Sequence, residues 1–319
     1  KDGSNRLPGL GSTTEVTEHY DSFRRPFAML RLRARGQWSY TVVIGTEPDG
    51  AALVDQDQID SWVAKWGHYL ARLGREPGLE AASVTVETAP DPGTRLTTQL
   101  AAATDADAPS FALDVLEEVA VTYPASSSTV RAYVALTFKG HTRGRERDHD
   151  AVARDLASRI YGLTSALEAT GAGASAPLSA SQLAEVVRVA YSPTDALLFE
   201  QARAQGERNV ATWHDAGPMA ADAHYSWYRH DEAKSITWSM IGAPEGIVQA
   251  DVLAPLLAPH PDILRKRVTM LYRPKSPAEA AKIVDRDVAA ASFRNSAKRA
   301  ESARASRAVR AAQATAQEE

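Results

Sequence analysis

The stretch "RVTMLYRPKSPAEAAKIVDRD" at 267–287 constrains this chain more than any other. Val268, Met270 and Tyr272 alternate with Thr269, Leu271 and Arg273, which predicts a strand. The strand turns at Arg273-Pro274. Ser276 with Glu279 three residues on spells a capping box, and Pro277 takes the first helical position. No Pro or Gly follows before Glu319. A helix over those roughly 43 residues would be about 65 Å long, more than a small domain can cover.

The rod divides by composition. Ile283, Val284, Val288 and Phe293 give its first turns a face to bury. Beyond Phe293 only Val309 exceeds alanine among the apolar residues. Between 290 and 310, Arg294, Lys298, Arg299, Arg304, Arg307 and Arg310 oppose only Glu301. Such a helix is expected to be packed as far as Phe293, then to project and meet another surface. A second basic cluster, Lys139, Arg143, Arg145 and Arg147 against Glu146, lies in one loop, and Arg265, Lys266 and Arg267 enter the strand before the long helix. Basic runs of this kind touch phosphate, acidic protein or an anionic leaflet, or are plain solvated faces. Interleaved aromatics are lacking, so base stacking is not indicated.

Upstream, the punctuation predicts an α+β chain of two hairpin-helix-strand-helix modules with antiparallel or mixed sheets. "FAMLRLRA" and "WSYTVVIGT" form a hairpin about Gly36. Ile59, Trp62, Val63, Trp66, Leu70 and Leu73 make the apolar stripe of a helix ended by Gly74. "ASVTVET" is a strand. A helix near 110–123 turns Phe111, Val115, Leu116 and Val119 inward, and Pro124 ends it. Val130, Ala132, Val134, Leu136 and Phe138 alternate on the next strand. The expected organisation is a flexible lead-in at 1–22 and a first α+β module at 23–140. A helical insertion follows at 141–210. A second module spans 211–293, and the basic helix 294–319.

The chain of 319 residues has 44% hydrophobic and 24% charged residues and a net charge of −4, a globular composition without bulk affinity for nucleic acid. It has no cysteine, which excludes thiol chemistry and Cys-ligated metal. No phosphate-binding Gly-x-x-x-x-Gly-Lys, Gly-x-Ser-x-Gly elbow or His-Glu-x-x-His occurs. "DQD" at Asp55–Asp57 has the Asp-x-Asp form with which glycosyltransferases hold a metal and sugar nucleotide. It also stands at a helix start, where carboxylates cap. The groups His141/Asp148/His149/Asp150 and His214/Asp215/Asp222/His224 have ligand chemistry without a ligand spacing. These readings give no catalytic, cofactor or metal residue.

Three strings carry a resemblance: "DGAALVDQDQIDSWVAKWGHYLARLGREPGLEAASVTVETAPDPG", "YSWYRHDEAKSITWSM" and "VLAPLLAPHPDILRKRVTMLYRPKSPAEAAKIVDRD". They resemble actinobacterial membrane-anchored proteins of conjugation- or secretion-type loci, encoded beside a VirB-type ATPase and a small PrgI-like membrane protein. Some of that group are labelled EccE-like after a type VII secretion subunit. The resemblance implies a soluble part on the cytoplasmic face, membrane segments upstream of Lys1 and a chain that continues past Glu319. Implied partners are the ATPase, other membrane components and further copies of the chain. It implies no cofactor and no catalytic motif. A non-enzymatic adaptor is therefore the first expectation. A degenerate glycosyltransferase using Asp55 and Asp57, and a nucleic-acid-binding component, are the alternatives.

Overall fold

Alternation along 37–47 and 128–139 puts Tyr40, Val42 and Ile44, and Val134, Leu136 and Phe138, on one face of a sheet, all nearly inaccessible to water. A computed structural model shows how that sheet is assembled. It describes residues 6–290 and 292, apart from 49, 51–53, 92, 106–107, 127, 143, 208–210, 243–251 and 261.

The elements run β1 (Glu15–Tyr20), β2 (Pro26–Ala34), β3 (Gln37–Glu47), α1 (Gln56–Leu73), β4 (Leu79–Pro90), α2 (Thr94–Ala103), α3 (Ser110–Ser126) and β5 (Ser128–Lys139). A two-residue ladder of β6 (His141–Thr142) and β7 (Arg145–Glu146) leads to α4 (His149–Leu167). Then come β8 (Ala174–Pro177), α5 (Ala180–Tyr191), α6 (Asp195–Ala204), β9 (Ala221–Ala223), β10 (Tyr228–His230), β11 (Ala233–Ser235), α7 (Ala254–Leu257) and β12 (Lys266–Tyr272). A last helix, α8, occupies 277–290.

The main sheet has the order β1-β2-β3-β5-β4-β12, with every ladder antiparallel, and β8 pairs with β3 beyond the end of β2. The fold is mixed α+β. Its core lies between this sheet and α1 with α4: Phe27, Met29 and Tyr40 meet Tyr69, Leu73, Val152, Leu156, Ile160, Leu163 and Leu167. Each fully buried side chain of this size contributes about 1.5–3 kcal/mol relative to exposure. α4 starts where Asp148 accepts the Ala151 N–H at 3.0 Å. α5 starts with a capping box of Ser179 and Gln182.

The opposite face is polar along half its length. Thr41 meets Thr137 at 2.9 Å and Thr85 meets Thr269 at 2.8 Å, while Leu271 stays 80% exposed. At the other end this face is covered by α5 and α6. Three tip residues of the β10–β11 hairpin lock the α5–α6 corner. His230 Nδ1 lies 2.5 Å from the Tyr191 carbonyl oxygen. Asp231 Oδ2 lies 3.0 Å from Arg188 Nη1. Glu232 accepts from the Ser192 and Thr194 hydroxyls. Burial would raise the Glu232 carboxyl, but these bonds hold it below the usual range.

Several expectations need correction. Residues 1–22 are not wholly a lead-in, because β1 pairs with β2 over Glu15–Tyr20. Its side chains are mostly polar, as an edge strand permits, so no apolar alternation announced it. The first module and the insertion at 141–210 share one core, since α4 packs on β2, β3 and β5. The second module builds no full sheet of its own: β12 joins β4 in the first, while its hairpin forms a separate three-stranded sheet. On α3, Phe111 is 78% exposed and Val115 and Val119 also face solvent, and the helix runs past Pro124 to Ser126. The α1 stripe is rotated, with Tyr69 buried and Val63 exposed. α8 has its capping box, Ser276 Oγ receiving the Glu279 N–H at 3.3 Å. Yet Val284 and Val288 are about 60% exposed, so it projects from its first turns.

Candidate functional site: an arginine–glutamate cavity

The residues singled out by sequence do not converge. Arg294, Lys298, Arg299, Arg304, Arg307 and Arg310 lie outside the described residues, as does Arg143. Lys139 and Arg145 are exposed, and Arg147 is neutralised by Asp155 at 2.9 Å. Asp55 takes the N-cap position of α1, but its side chain makes no cap hydrogen bond, so the expected capping is incomplete. Asp57 stands in the first turn, and the two carboxylates line an open depression made by their own helical turn. Among the described residues no group of three His, Asp or Glu side chains is placed to hold a metal ion. His224 pairs with Asp222 at 2.9 Å on the surface, and Asp215 accepts from Thr212 at 2.6 Å. His149 instead lies against His19, with ring centroids 5.6 Å apart and the rings tilted by 53°.

The tertiary structure does bring together charges that are distant in sequence. The register sets Arg131 of β5 beside Glu87 of β4, and Glu87 beside Arg267 of β12. All three point to the face covered by α5 and α6, because Ala132, Val86 and Val268 take the other side. Glu87 is 4% exposed and accepts from Arg265 at 2.6 Å and from Arg267. Arg267 also donates to the Val186 carbonyl of α5 at 3.0 Å. From the helices, Glu200 meets Arg131 at 3.2 Å and Glu185 meets Arg203 at 2.5 Å.

These groups wall a cavity of about 380 Å³. Its remaining lining is largely apolar, including Val186, Val189, Leu197 and Leu264. Burial pulls the Arg265 guanidinium below its usual value, against the charge of Glu87. Burial and the same carboxylate push Tyr133 up, so its hydroxyl stays protonated at neutral pH. Arg265 and Arg267 both engage Glu87 at this wall. The sequence held a faint signal, charged residues at the strand positions opposite the apolar face. Without the strand order, nothing joined them.

No family model, curated protein or solved structure matches this chain. No helix among the described residues is long and apolar enough to cross a membrane.

Proposed function

We propose that this chain is a non-enzymatic adaptor, the part of a membrane-anchored conjugation or secretion component that lies on the cytoplasmic side. Its docking element is the helix that begins at Pro277. The observation that carries this reading is the way α8 leaves the body. It is cleanly capped at Ser276, yet presents Val284 and Val288 to solvent at about 60% exposure. A helix with unburied valines gains little from its own chain, since most helical stability comes from packing an apolar face. The basic residues 294–310 follow in sequence and favour an acidic partner surface. The resemblance of the strings quoted above names that partner as the VirB-type ATPase.

Co-purification of the ATPase with the full chain, with a chain ending at Phe293 and with one ending at Ser276 tests the reading. Retention is expected to fall stepwise. Equal retention by all three overturns helix docking. Light scattering on the same chains separates docking of a partner from pairing of copies: loss of a dimer mass on truncation would assign the helix to self-assembly.

A further inference from the structure

We propose that the cavity between α5–α6 and β4–β5–β12 binds a small amphipathic carboxylate, with its head on Arg131 and Arg203 and its apolar body against Val186, Val189 and Leu197. This goes beyond the adaptor reading and does not depend on it. The volume, about 380 Å³, falls in the range of ligand pockets, and an apolar wall with a few fixed charges is their usual chemistry.

Charge selects the sign of the ligand. The described lining residues hold four arginines and three glutamates, a surplus of one positive charge. Glu87 is engaged by Arg265 and Arg267 at the closed end. The side chains of Arg131 and Arg203 keep 41% and 45% exposure, and each already pairs with a carboxylate, Glu200 or Glu185, so a ligand head would meet their remaining donors. Donors are also in excess. A guanidinium carries about five N–H groups in a planar fork that matches a carboxylate. Among the described residues the acceptors around these guanidiniums include three carboxylates, the Tyr133 oxygen and the Val186 carbonyl. Arg265 Nε is buried without an acceptor among the described residues. One added carboxylate balances the surplus; a cation would add to it.

Position along α6 explains how the pocket is shaped. Leu197, Glu200 and Arg203 recur on one face of α6, and the tip of the β10–β11 hairpin holds its N-cap residue by Glu232 on Thr194. The wall is thus fixed by the chain rather than by the ligand.

Hexanoate is the probe, followed by ¹H–¹⁵N signals of the arginine Nε–H groups of the full chain. Saturable shifts are expected with a Kd near or below about 1 mM, as suits a molecule of this size. Hexyltrimethylammonium, inorganic phosphate and hexyl phosphate are the comparison ligands, each expected to bind more weakly. Arg203→Gln is expected to weaken hexanoate about tenfold. Leu197→Glu, at a half-exposed position, is expected to abolish binding. Unchanged melting of both variants shows that they fold. No saturable shift, equal binding by the ammonium probe, tighter binding of hexyl phosphate, or wild-type affinity in folded Arg203→Gln would each overturn the assignment.

Discussion

Trp62 of α1 lies so close to Gly171, in the turn after α4, that a Cβ on the glycine would stand 2.7 Å from the indole. Gly171 also has φ of 79°, the left-handed region. The contact ties the N-terminal half of α1 to the end of α4, two helices that cover the same sheet face. Gly171→Ala adds both backbone strain and a collision. It is expected to cost about 2–3 kcal/mol in urea unfolding. Pairing it with Trp62→Ala should leave only the backbone part, about 1–2 kcal/mol. A loss unaffected by the Trp62 change would show that the collision is relieved elsewhere.

The buried carboxylate of Glu87 is the strut of the charged cavity. Glu87→Ala strands Arg265 and Arg267 in a half-buried setting and is expected to destabilise the chain by about 3–5 kcal/mol. Thr269→Ala, on the solvated part of the same sheet face, should change stability by about 0.5 kcal/mol or less. Comparable losses for the two would remove the special role of Glu87.

Acid lability should begin at histidine pH. Burial, then the neighbouring His149, holds the His19 imidazole below its ordinary value, with Asp150 opposing. Its unfolded form therefore binds a proton more readily than its folded form. Stability is full above about pH 6.5 and declines as pH falls from there through the folded value. Urea midpoints at pH 7.5 and 5.5 are expected to differ for the wild type and to converge for His19→Gln. An unchanged difference would place the acid sensitivity on other groups.

Removal of α8 should scarcely affect the body. A chain ending at Ser276 keeps the contact in which the Lys275 carbonyl covers Gly74, while it loses the exposed Val284 and Val288. Its melting temperature is expected within about 4 °C of that of the full chain, the shift that about 1 kcal/mol gives at this size. A larger fall would mean that α8 is integral to the core.

Local chemistry made many elements legible in advance. The Ser276/Glu279 capping box stands where its spacing put it. Of the alternating positions of β5, Ala132, Val134, Leu136 and Phe138 are buried, while Val130 at its start is 44% exposed. The hairpin about Gly36 uses left-handed Arg35 and Gly36. Reading failed where neighbours, not the segment, decide burial. Phe111, Val115 and Val119 have helical spacing, but nothing among the described residues covers them. Residues 236–241 alternate like a strand, yet the ladder ends at Ser235, leaving Trp238 88% exposed. Polar β1 was invisible because an edge strand draws on backbone pairing rather than on an apolar face.

Sequence alone thus determined the punctuation of this protein: where helices start, which strand residues share a face, and that a long, basic, glycine-free segment follows Pro277. It could do so because caps and periodicity act within a few residues. Only the tertiary structure decided that β12 closes against β4, and that Arg131, Glu87 and Arg267 form one row under α5 and α6. Strand order and register are set by packing across the whole sheet, and a one-residue slip would turn Glu87 to the apolar face. The candidate site exists through that register, which no local pattern carries.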